Sequence, residues 1–334
     1  MKLKSRNNTL KKSLFVCFPL AYLLCYSATL AADTSSSQAR QLLNQMSQAA
    51  RLLNYDGTFV YSRGDRMDTM RIIHKATEEG EQERLISLTG YAREVIRDNK
   101  SVTCIFPDNQ AVMVEKSRPR QLLSGQLPEP IEKIAEFYEF SVAGKERVAG
   151  RSTHVVNILP RDDYRYGYQL WIDEATQLLL KSELKDRRGK PLEQIMFTQI
   201  DIDSIVPDKL LEPEISGTGY TWYNNASDEA PVNSGNSDWK VTWMPKGFKM
   251  KDHEKQVTLT GTSPVDHMVY TDGLAIVSVF VEKLNNDPDV MKGPSNLGGV
   301  NAFAVMADGY QITAVGEVPQ ETVQQMANSV IQNN

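Results

Sequence analysis

Residues 164–201 read YRYGYQLWIDEATQLLLKSELKDRRGKPLEQIMFTQID, and their alternation decides the fold. Tyr166, Tyr168, Leu170 and Ile172 alternate with Gly167, Gln169, Trp171 and Asp173, the two-residue period of a pleated strand. Residues 173–177 supply a turn. Leu178, Leu180 and Leu184 then fall on one side, against Leu179, Lys181, Glu183 and Lys185. Asp186-Arg-Arg-Gly-Lys190 is a second turn, with its glycine at a position of positive φ. From 192 to 202 the alternation resumes, with Met196, Ile200 and Ile202 opposite Ile195 and Phe197. Short connections between alternating strands make antiparallel neighbours, so the stretch is a three-stranded meander with an apolar face to be covered. That face is either the inside of an ordinary core or a concave surface for an apolar ligand.

At the far N-terminal end, Lys2, Lys4, Arg6, Lys11 and Lys12 form a basic region and residues 14–26 an uninterrupted apolar run. Thr29-Leu-Ala-Ala32 follows with small residues for cleavage after Ala31 or Ala32. These are the parts of an export signal, residues 1–32, too short for a comfortable membrane span. Leu24 stands ahead of Cys25 where a lipoprotein signal needs a small residue. Removing the signal takes five of 37 basic residues and none of 42 acidic ones, leaving a net charge of −10. That balance argues against nucleic acid as a partner. The basic runs 116–120 and 185–190 read as solvated loops. Only Cys104 of the three cysteines survives processing, so no intramolecular disulfide is expected, and its strand-like flanks make it a packed, inert thiol.

The remaining 302 residues of the 334 have room for two domains. Behind a cap at Ser35–Ser37, a helix is expected over 38–54, with Ala39, Leu42, Leu43, Met46, Ala49, Ala50 and Leu53 as one buried stripe. Residues 55–116 change to short strands rich in β-branched and aromatic residues, which excludes a doubly wound parallel sheet. A second helix is expected over 128–140, with Ile131, Ile134, Ala135 and Tyr138 on one face. The first domain thus spans 33–213. Residues 214–238, rich in Gly, Ser and Asn, read as a linker long enough to let two domains reorient. Its Tyr220, Trp222 and Tyr223 either dock back onto a domain or meet a partner. Residues 239–334 form a smaller α+β domain of two hairpins closed by a helix over 319–332.

Signatures of catalysis are missing. There is no His-Glu-x-x-His, Gly-x-Ser-x-Gly, phosphate loop or Cys-x-x-Cys, and His74, His154, His253 and His267 are scattered singly, so no metal or cofactor is expected. Ser182-Glu-Leu-Lys185 matches Ser-x-x-Lys, but strand positions three apart point to opposite faces. Asp201 and Asp203 share a strand face without a companion group, which makes them a solvated edge. The chain reads as a binding protein and not an enzyme.

Tyr55-Asp-Gly-Thr-Phe-Val-Tyr61, Ala92-Arg-Glu-Val95, residues 166–200, Trp243-Met-Pro-Lys-Gly-Phe248, the run 267–281 and Val315-Gly-Glu-Val-Pro-Gln320 occur in an order that resembles the MucB/RseB family of periplasmic sigma-E regulators. The resemblance covers almost the whole expected mature chain. It implies an α+β fold: a lipoprotein-carrier-like half-open antiparallel β-barrel with covering helices, then a smaller α+β domain. It also implies a regulator that binds the periplasmic part of a membrane-spanning anti-sigma factor and shields it from proteolysis. Lipopolysaccharide or lipoprotein acyl chains then relieve this hold, and self-association is implied as well. A lipid or lipoprotein carrier is the competing reading; an exported hydrolase lacks a nucleophile–base pair. Candidate lipid-groove residues are Phe59, Tyr61, Ile72, Val112, Val114, Leu170, Leu180 and Met196, with plain core packing as the alternative for each. Candidate anti-sigma contacts, chosen for aromaticity, are Trp222, Trp243, Tyr270 and Phe280.

Overall fold

The computed structural model describes residues 20–117, 127, 131–203, 205–215, 217–224, 238–257, 264–284 and 291–333. The basic leader, the start of its apolar run, residues 118–120 and most of the expected linker lie outside them. Helix α1, Leu20–Leu52, leads into β1 (Tyr55–Arg63), β2 (Arg66–Thr77), β3 (Gly80–Ser87), β4 (Glu94–Arg97), β5 (Ser101–Phe106) and β6 (Ala111–Lys116). There follow β7 (Tyr138–Val148), β8 (Arg151–Pro160), β9 (Gly167–Asp173), β10 (Leu179–Lys185), β11 (Pro191–Ile202) and β12 (Thr221–Asn224). These twelve strands form one sheet in the order β12-β6-β5-β4-β3-β2-β1-β11-β10-β9-β8-β7, antiparallel except where β12 runs parallel to β6. β7 and β11 stand four places apart, about 19 Å in a flat sheet at ~4.8 Å per strand, yet they touch. The sheet therefore curls while its edges, β12 and β7, stay unjoined. It is a half-open barrel.

The expected meander is β9, β10 and β11, paired antiparallel in sequence order. Its second turn carries Gly189 at φ 76°, and Asp186 Oδ1 accepts from the backbone N–H of Arg188 and Lys190, both at 2.9 Å. Its sides differ from the expected ones. A register shift between Leu179 and Lys181 leaves Leu180 as a bulge, so Leu179 pairs with Ile172 and Leu184 with Tyr168. Leu178, Leu179 and Leu180 are consequently all buried.

α1 covers one region of the sheet with the predicted stripe: Ala39, Leu42, Leu43 and Met46 pack against Tyr138, Phe140, Val156, Ile158, Leu170 and Ile172. The helix does not start at Ser35. It continues unbroken from Leu20, and the Ser35 hydroxyl accepts instead from the Val142 N–H at 3.1 Å. No proline or glycine between 20 and 37 stops the helix. The helix expected over 128–140 is absent among the described residues. Ile131–Ile134 is a single 3-10 turn and β7 begins at Tyr138. Tyr138 and Phe140 are buried on either side of exposed Glu139, so the period of two wins. The burial of Ile131, Ile134 and Tyr138 was legible; their backbone was not.

The second unit is a six-stranded antiparallel sheet in the order β14 (Lys249–Val257), β15 (Pro264–Thr271), β16 (Ile276–Lys283), β19 (Tyr310–Gly316), β18 (Val300–Ala307), β17 (Gly293–Leu297). β13 (Trp239–Val241) pairs with β20 (Val330–Gln332) in a separate ribbon. α2, Gln320–Asn328, packs Val323, Met326 and Ala327 into the same core as the sheet. The closing helix is thus shorter than 319–332, because Ser329 accepts at its hydroxyl from the Trp243 N–H and Val330 enters the ribbon.

The two units meet at a buried joint. Arg165, between β8 and β9, is wholly buried; its Nη1 donates to Asp272 Oδ2 at 2.8 Å and its Nη2 to the Lys246 carbonyl at 2.6 Å. The Tyr138 hydroxyl donates to the same Asp272 oxygen at 2.9 Å. The guanidinium lies 5.1–5.5 Å from the ring centroids of Phe137, Tyr138 and Phe248. Thr322 donates to the Tyr164 carbonyl at 2.8 Å, and Asn301 to the Tyr166 hydroxyl at 2.9 Å. The first residues of the quoted stretch therefore bolt the units together, against the free reorientation expected from the linker.

Candidate binding site

Bordering the region that α1 covers, the sheet face continues under the second unit. The registers place Leu170, Ser182, Ile195 and Tyr61 in one cross-strand row. Ile158, Tyr168, Leu184, Glu193 and Arg63 form the next. These rows floor a chamber of ≈ 360 Å³, within the ordinary range for ligand pockets. Its roof comes from the second unit: Leu274, Ala275, Ile276, Val300, Val315 and Glu317. Most of the lining is apolar.

One end is polar. The Tyr61 hydroxyl donates to Glu193 Oε2 at 2.5 Å, and the Gly299 N–H donates to Glu193 Oε1 at 2.9 Å. Burial, followed by the Glu193 hydrogen bond and charge, raises the Tyr61 pKa, so this hydroxyl stays protonated. The Tyr168 hydroxyl donates to Glu317 Oε2 at 3.4 Å. Burial first, and then the Glu193 charge, raises the Glu317 pKa, although solvent still reaches this carboxylate. Arg63 lies 5.8 Å from the Tyr61 ring centroid and also packs on Gly298, where a Cβ would stand 2.1 Å from Arg63 Cγ. Among the described residues, neither Glu193 nor Glu317 has an ion-pair partner.

Of the groove candidates, Tyr61 and Leu170 line this chamber. Phe59, Ile72 and Leu180 are buried in a neighbouring core cluster, with half-buried Met196 against it. Val112 is fully buried, its Cγ2 close to Gly217 on the side that the Trp222 ring also covers; half-buried Val114 pairs with Asn224. The choice of Met196 over Ile195 and of Leu180 over Leu184 reflects bulges in β11 and β10, since one extra residue exchanges the faces of a strand. The four aromatic candidates do not share a surface. Trp222 is exposed on the edge strand β12; half-buried Trp243 packs edge-on against Tyr164 at 5.2 Å; Tyr270 is core; Phe280 stacks on His267 at 4.3 Å. Ser182 faces the chamber while Lys185 pairs with Glu183 Oε2 at 3.1 Å, so the Ser-x-x-Lys match brings no chemistry together. Glu193, Glu317 and the roof gave no sequence signal, because their role depends on the second unit folding over the first.

A curled sheet, an α+β roof and an apolar chamber shared between them define a two-unit binding module. Models of the MucB/RseB N-terminal domain and the MucB/RseB C-terminal domain match residues 38–215 and 233–331, and the chain belongs to this family. It is 33% identical to the sigma factor AlgU regulatory protein MucB of Pseudomonas aeruginosa, over 93% of this chain and 95% of that one. It is 29% identical to the sigma-E factor regulatory protein RseB of Haemophilus influenzae, over 90% and 93%. The Pseudomonas aeruginosa MucA/MucB complex matches with a TM-score of 0.70 at 29% identity, over 89% of this chain and 99% of that one. MucB in complex with MucA(peri) gives 0.69 at the same identity and coverage.

Proposed function

We propose that this protein is a periplasmic negative regulator of a sigma-E envelope-stress response. It binds the periplasmic part of a membrane-spanning anti-sigma factor, shields that segment from regulated proteolysis, and lets go when a lipidic signal arrives, lipopolysaccharide or lipoprotein acyl chains. The observation that carries this reading is the likeness to MucB, solved with MucA(peri), across 89% of the chain and therefore both units. The shared chamber supports it, because a site walled by two units gives a partner segment a reason to require both. The competing reading is a lipid or lipoprotein carrier that works by the first unit alone. It leaves the chamber without its roof. The test is calorimetric titration of the expected mature chain with the periplasmic segment of its cognate anti-sigma factor, with and without a lipopolysaccharide fragment. Micromolar or tighter binding, weakened at least tenfold by the lipid, is expected. Lipid binding without segment binding moves the assignment to a carrier.

A further inference from the structure

The polar end of the chamber has a charge pattern that the apolar walls do not require. Glu193 reaches it from β11 and Glu317 from the residue after β19, so the two carboxylates come from different units. Arg63 is the cation whose charge acts on Glu317. Two carboxylates and one guanidinium leave one negative charge unmatched at this end, where Glu193 is half-buried and solvent still reaches Glu317. A cation placed between the two carboxylates is attracted by both and relieves their mutual repulsion. Leu170, Leu184, Leu274 and Val315 line the approach, and the Tyr61 and Tyr168 hydroxyls already donate to the carboxylates. A ligand that fits must have an aliphatic stem and a cationic tip, which is the build of lysine and arginine. An anionic lipid headgroup would meet like charges there. Residues 33–334 carry a net charge of −10, which favours a basic partner over an acidic one.

Resting on the reading above, we infer that this end of the chamber is a subsite for one basic side chain, lysine or arginine, of the polypeptide the protein holds. Relief of the unmatched charge then becomes part of the binding energy.

The experiment is calorimetry on the expected mature chain, unmodified and as Glu317→Gln, against the cognate anti-sigma periplasmic segment and versions with each Lys or Arg replaced by Gln. Glu317→Gln is expected to weaken the segment about tenfold. One basic position should cost the same on the parent and nothing further on the variant, as coupled residues do. Equal affinity for parent and variant, or costs that simply add, overturns the inference while leaving the regulator reading standing. A second arm needs no variant: n-octylamine should displace the segment from the unmodified protein and n-octanol should not. Equal displacement by both overturns it too. If the segment does not bind but n-octylamine does, the occupant is a small amine, and both the inference and the regulator reading fall.

Discussion

Arg165 and Asp272 show what one buried ion pair does in this molecule. Both side chains are fully buried, and Asp272 Oδ1 also accepts from the N–H groups of Leu274 and Ala275, each at 2.8 Å. Arg165→Ala leaves a carboxylate stranded, and the expected cost is about 3–5 kcal/mol in denaturant unfolding. Removing both charges while keeping an acceptor for the Leu274 and Ala275 N–H groups, Arg165→Met with Asp272→Asn, should recover most of that loss. A double variant as unstable as the single one would show that the pair acts through something other than its charges. Glu317 carries a pH signature. Its folded pKa lies above the ordinary carboxylate value, so its contribution to stability is complete below that value and is lost as pH rises through the raised one. Glu317→Gln should therefore raise the thermal midpoint relative to the parent at pH 7 and not at pH 4. Asp173 has the opposite sign. Burial pushes its carboxyl up, but bidentate Arg151 at 2.9 and 3.0 Å and the Thr176 hydrogen bonds outweigh this and hold it low. Its contribution is present at neutral pH and lost as pH falls through the lowered value.

Among the elements, α1 and the meander were the most legible and β7 the least. The stripe of α1 repeats at three and four residues, and Leu43 and Met46 are wholly buried where that period puts them. Leu43→Ala should cost about 2–5 kcal/mol, read from the urea midpoint, with far-UV circular dichroism unchanged. β7 was mistaken for helix because Ile131, Ile134, Ala135 and Tyr138 have helical spacing, while the 3-10 turn buries Ile131 and Ile134 by placing residues three apart on one side. Bulges were hidden for a different reason. Nothing in Thr-Gln-Leu-Leu-Leu says which leucine leaves the ladder, since all three find apolar neighbours. Faces assigned from parity alone are right up to the first bulge and reversed after it.

At the scale of the whole molecule, the sequence supports two units and a family resemblance, and gives little of the site. A chamber roofed by Leu274, Val315 and Glu317 and floored by Tyr61 and Leu170 joins residues up to 256 positions apart, a separation beyond any local pattern. Ending the chain at residue 224 removes the roof, so segment binding should weaken at least tenfold, about 1.4 kcal/mol. Undiminished binding by a fragment that still melts cooperatively would place the contact on the first unit alone. The joint sits close by in sequence: Arg165 is three residues from Tyr168, and Asp272 two from Leu274. The bolt thus sits beside the chamber, and an occupant that touches both floor and roof adds a second tie between the two halves a few residues from the first.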